Sequence, residues 1–155
     1  MCSTISNRSV SKYSVKKYFD DCLIKVENKL KTDGLTSNIQ LDKLGKSLFG
    51  DRYKGAVMSD QIPRLKNNEM CIINTDPSTK KGMHWIGITK HDNKIYAFDS
   101  FGRKIQKLSL NFKHKKWINV SQTAHESDYG KDCGELSMAF LMTFDKYKIK
   151  CINII

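Results

Sequence analysis

Apolar positions change their spacing along the chain, and each change marks a different kind of element. Between residues 14 and 31, Val15, Tyr18, Phe19, Cys22, Leu23, Val26 and Leu30 recur every three or four positions. That spacing lines one face of a helix, ended by Asp33-Gly34. A second helix is expected from Ser37, because Ser37-Asn38-Ile39-Gln40 has the form of a capping box. Its buried stripe would be Leu41, Leu44 and Leu48, stopping at Gly50. From Met70 the runs shorten to strand length, at 70–74, 84–89, 94–99 and 117–121. Lys90-His91-Asp92-Asn93 is turn-forming and joins the second and third of these as a hairpin. From Cys133 to Phe144, Leu136, Ala139, Phe140 and Phe144 restore the helical period. Helices, then strands, then a helix predict an α+β domain whose central sheet is flanked by helices.

Composition narrows the classes. The chain has 155 residues, which suits one domain able to bury a core without disulfide staples. Its five cysteines (Cys2, Cys22, Cys71, Cys133, Cys151) include no Cys-x-x-Cys pair, so neither a disulfide framework nor a zinc set is indicated. Residues 1–11 are polar, and no apolar run approaches membrane-spanning length. These features predict a soluble protein in a reducing intracellular compartment, with no membrane partner. Lys and Arg total 27 against 16 Asp and Glu, a net charge of +11. Such a field either meets a polyanion or is simply a solvated basic surface. Gly45-Lys46-Ser47 looks like the end of a phosphate loop, but Gln40 stands where the upstream glycine belongs and the segment is helical in pattern.

The hairpin and the last helix carry the chemistry. With an even loop centred between His91 and Asp92, Ile88 would face Ile95, Ile86 would face Ala97, and His84 would face Asp99. Opposed residues have Cβ atoms about 4.5–5.5 Å apart, close enough for an imidazole and a carboxylate to share a hydrogen bond. A bare cross-strand ion pair is the alternative. Cys133 opens the last helix, where unpaired N–H groups and the helix dipole favour a thiolate, and Gly134 lets another chain approach the sulfur closely. A lone cysteine is otherwise a small buried hydrophobe. Nucleophile, base and orienting carboxylate together make a Cys–His–Asp set fit for acyl transfer. A metal site on His84, Asp99 and Cys133 would want a further close ligand, and none is indicated.

These residues also resemble a family. Gly82-Met83-His84-Trp85, Tyr96-Ala97-Phe98-Asp99-Ser100-Phe101-Gly102 and Asp132-Cys133-Gly134, with Gly55 to Pro63 upstream, are similar to the adenovirus-type cysteine proteases and their Ulp1-like relatives. The likeness spans roughly residues 37 to 145. It implies the Ulp1/adenain-like fold, a mixed central sheet with the nucleophile at the N-terminus of a core helix. It also implies one catalytic domain over 1–155: a helical segment at 1–36, a catalytic core at 37–145, and a tail or strand at 146–155. Gln122 becomes the candidate oxyanion-hole residue, although its separation from Cys133 is longer than in relatives. Trp85 becomes a wall of a channel that admits glycine next to the scissile bond.

The function so implied is a cysteine endopeptidase that cuts at Gly-containing motifs, monomeric, processing capsid or core precursors during virion maturation. Its place would be the virion or the virus factory. No cofactor is needed for the chemistry, while relatives use DNA and a peptide as activators. Two other readings stay open. One is a peptidase acting on SUMO- or ubiquitin-like modifiers; the other is a catalytically inactive, basic DNA-binding virion protein.

Overall fold

A computed structural model describes residues 10–31, 36–82, 84–105, 117–121 and 132–155. Helix α1 is Lys12–Leu30, with Ser11 capping its first turn, and α2 is Asn38–Phe49. The expected capping box is present: the Ser37 hydroxyl accepts from the Gln40 N–H and the Gln40 side chain accepts from the Ser37 N–H. After a 3-10 turn at Gly50–Arg52 come β1 (Tyr53–Val57), β2 (Met70–Asn74), β3 (Trp85–His91), β4 (Lys94–Phe98) and β5 (Trp117–Asn119). Helix α3, Cys133–Tyr147, is followed by a 3-10 turn at Lys148–Cys151.

The strands form one mixed sheet in the order β1-β2-β3-β4-β5. The outer pairs are parallel and the two inner pairs antiparallel. Aromatic rings seal α3 to the sheet, with Phe98 stacked on Phe140 at 5.2 Å and Tyr96 against Phe144 at 4.8 Å. Phe19 of α1 reaches the same Phe98 ring at 5.9 Å. Val15, Phe19, Cys22 and Val26 are the buried face of α1, as its spacing predicts.

Several expectations need correction. Leu48 is 40% exposed although the helical period places it within the stripe, and Phe49 beside it at the end of α2 is buried instead. The helical Gly45 is a packing residue: a Cβ there would sit 2.5 Å from the Tyr53 ring. Strand β1 was not anticipated, since Tyr53-Lys54-Gly55-Ala56-Val57 is short, contains a glycine and slips register between Tyr53 and Ala56. Among the described residues the three helices flank the central sheet on one side. All three contribute to one core layer, while Ile62, Leu65 and Ile105 from irregular segments cover Ile73, Ile86, Ile88, Ile95 and Ala97 on the other. Asp33-Gly34 lies outside the described residues.

The hairpin register is also different. Ile88 pairs with Ala97 and Lys90 with Ile95, so the loop is Asp92-Asn93 rather than a turn centred one residue earlier. Both loop residues have positive φ, 51° and 61°, the conformation of the tight turn that matches strand twist. The slip moves every pair by two positions. It therefore keeps Ile86, Ile88, Ile95 and Ala97 on one face, as expected, but takes Asp99 from opposite His84 to a diagonal position.

Candidate active site

The site lies where β3 begins and β4 has just ended. His84 precedes β3 and Asp99 follows β4. Diagonal neighbours on one face stand about 7–8 Å apart at Cα, within reach of long side chains. The contact is made despite the changed register: His84 Nε2 and Asp99 Oδ1 are 2.7 Å apart. Both side chains are buried, that of Asp99 completely.

A fully buried carboxylate needs donors to stay ionised. Asp99 accepts from His84, from the Phe101 N–H at 3.0 Å and from Arg103 Nε at 2.7 Å. Burial would push its pKa up, but the hydrogen bonds from His84, Arg103 and Phe101 outweigh it and hold the carboxyl below its ordinary value. The Phe101 ring lies 4.6 Å from the imidazole, while the Arg103 guanidinium sits 5.1 Å from the same ring.

Cys133 reaches this end of the sheet from the first position of α3. Its Sγ accepts a hydrogen bond from the Trp85 N–H at 3.4 Å, which sets the sulfur beside the residue that follows His84. A backbone donor and the positive end of a 15-residue helix both favour a thiolate at this position. The sulfur has no exposed surface. Burial pushes up the pKa of the other described thiols, with Cys151 reaching about 12 and Cys22 and Cys71 also raised.

Thr36 ties the parts together. Its carbonyl accepts from the Trp85 indole at 3.0 Å and its hydroxyl donates to the buried Glu135 carboxylate. Its Cβ would lie 3.3 Å from a Cβ placed on Gly134. Gly134 is thus closely approached by Thr36 and Leu41 of the same chain. At Gly87 of β3, a Cβ would meet the Phe140 ring at 2.8 Å and the Ser137 carbonyl at 3.1 Å, so α3 rests directly on the strand.

Beside Trp85 opens a cleft of about 430 Å³ walled by Thr36, Met58, Asn74, Lys80, Lys81 and Gly82, among others. The loop carrying the lysines is braced, because Ser78 donates its N–H and hydroxyl to Asp60 and the Thr75 N–H donates to the His84 carbonyl. Of the residues singled out in the sequence, His84, Trp85, Asp99 and Cys133 come together; Gln122 lies outside the described residues, as do His114 and His125. Arg103, Thr36 and Glu135 were missed. Thr36 and Glu135 meet across 99 positions, which no local pattern reveals. Arg103 is different, since its place four residues after Asp99 in a Gly-containing turn was a usable signal. Among the described residues no group of His, Cys, Asp and Glu is arranged to hold a metal ion, and no helix is long and apolar enough to cross a membrane.

A sequence model of the adenovirus endoprotease family matches residues 49–129, just over half of the chain. The match includes His84, Trp85, Asp99 and Gln122 and ends before Cys133. No curated protein matches the chain.

Proposed function

The chain belongs to the adenovirus endoprotease family of cysteine endopeptidases, and from that premise we propose that Cys133, His84 and Asp99 carry out the hydrolysis. The observation behind this is the junction at Trp85: its N–H holds the Cys133 sulfur while the preceding residue, His84, is bonded to Asp99. Because Nε2 of His84 is committed to Asp99, proton exchange with the sulfur falls to Nδ1. The thiol proton passes to Nδ1, and Sγ attacks the substrate carbonyl. The oxyanion takes hydrogen bonds from the Cys133 N–H and the Gln122 amide. As the C–N bond breaks, His84 protonates the leaving amine. Water, deprotonated by the same imidazole, then hydrolyses the thioester and restores the thiol.

In this reading the cleft beside Trp85 receives the peptide, and the indole, which is fixed by the Thr36 carbonyl, selects glycine over a larger side chain next to the scissile bond. Substrates with Gly-Gly-X or Gly-X-Gly follow, and structural precursors of a virion are the protein class that fits such processing. The enzyme works as a monomer without a cofactor in its chemistry, in the virion or virus factory, with DNA or a peptide as candidate activators.

The test is a peptide library containing these motifs and matched Ala-for-Gly controls, read by mass spectrometry with and without duplex DNA. Cleavage confined to Gly-containing members, reduced by about 10³-fold or more in Cys133→Ala and His84→Ala, is expected. No cleavage under either condition would favour a second reading, a catalytically silent DNA-binding protein. Full burial of the Cys133 sulfur is the observation on that side, because buried structural thiols are inert.

A further inference from the structure

We infer that Arg103 is a positioning residue of the catalytic machinery, holding Asp99 in line with His84; this rests on the triad assignment made above. The two oxygens of Asp99 divide the work. Oδ1 serves His84 and the Phe101 N–H, while Oδ2 is held by Arg103 Nε at 2.7 Å. Arg103 itself is 43% exposed, which for an ordinary surface ion pair would mean little energetic weight. Its partner is the difference. The Asp99 side chain has no exposed surface, so water does not readily replace a lost guanidinium.

The chain is folded locally to make this contact. The Gly102 N–H donates to the Asp99 carbonyl at 2.8 Å, and Gly102 adopts φ +68°, a conformation that suits glycine. That turn carries Arg103 back over the carboxylate four residues earlier. Phe101 fills the space between, in contact with His84 and beneath the guanidinium. Imidazole, carboxylate, guanidinium and ring therefore form a closed circuit, in which Arg103 supplies direction to Oδ1 and limits the negative charge that His84 feels.

Among the described residues Asp99 is paired with His84 and Arg103, while Cys133 and Glu135 stand in the first turn of α3 and Lys80 and Lys81 line the cleft beside Trp85. Removing the Arg103 charge leaves the whole negative charge of Asp99 facing the imidazole, which favours its charged form. It also leaves Oδ2 without its held partner, so the imidazole is aimed less well. Lysine at this position restores a charge but not the planar Nε contact or the stacking on Phe101.

The experiment is the rate of Cys133 alkylation by iodoacetamide between pH 4 and 9, followed by peptide mass spectrometry. It is run on the wild-type chain, Arg103→Ala, Arg103→Lys and His84→Ala. In Arg103→Ala the histidine-dependent upper limb is expected to move to higher pH, and the plateau to fall by about 10-fold. Arg103→Lys should return the limb toward its wild-type position while leaving the plateau low. A profile of Arg103→Ala that superimposes on wild type, with His84→Ala still abolishing the low-pH reactivity, overturns the role of Arg103 alone. A lowered melting temperature with an unshifted profile does the same, since that marks a structural ion pair. If the wild-type chain lacks a His84-dependent limb, the triad assignment falls and Arg103 falls with it.

Discussion

Asp99 remains anionic inside the protein, and that has a consequence for stability. Its folded pKa is held below the ordinary value against an opposing burial effect by His84, Arg103 and the Phe101 N–H. The stabilisation is complete above the unfolded carboxyl pKa of about 3.9 and is lost as pH falls through the lower folded value. Below about pH 4 the melting temperature of the wild-type chain should therefore fall more steeply than that of Asp99→Asn. Thermal unfolding followed by circular dichroism from pH 2 to 7 measures this; parallel curves would mean the carboxylate is not specially held. At this scale the chemistry was legible because side chains alternate with period two. Parity put His84 and Asp99 at one end of an apolar face, and an error of one pair in register left that parity intact.

Among the elements, the contact between α3 and β3 decides where Cys133 stands. Gly87 lets the Ser137 carbonyl and the Phe140 ring approach the strand, and Ser137 Oγ donates to the Trp85 carbonyl at 3.3 Å. Gly87→Ala forces these apart and should destabilise the fold by about 1–3 kcal/mol, as overpacking in a close-packed core does. Urea denaturation would register this as a lower midpoint at unchanged slope. A midpoint equal to wild type would show that α3 has room to spare. The periodicity of α1, α2 and α3 was readable, and so was the capping box at Ser37. Which residues end each stripe was not, as Leu48 and Phe49 show, because only the neighbouring β1 decides which side of α2 is inside. Strand β1 itself has too little alternation to announce its pairing with β2.

For the whole molecule, charge makes a claim separate from catalysis. A net +11 should bind duplex DNA without regard to sequence, since phosphate contacts release counterions. Some of this charge is already engaged, as Lys16 pairs with Asp20 and Lys17 with Asp21 along α1. Fluorescence anisotropy with two unrelated 30-base-pair duplexes should give equal affinities that fall by about 10²-fold or more between 50 and 200 mM salt. Weak binding insensitive to salt would mean a solvated basic surface with no polyanionic partner.

Composition, periodicity and capping determined the class of fold, the helices and most of the strands, because each depends on residues a few positions apart. The same local order marked His84, Asp99 and Cys133 as candidates. Only the tertiary structure decided the hairpin register, which follows from the backbone conformation of Asp92-Asn93. It alone put the Trp85 N–H on the Cys133 sulfur, Thr36 against Glu135, and Arg103 over Asp99. The first two join segments distant in sequence, and the third depends on a turn whose direction becomes definite once the carboxylate at its start is buried.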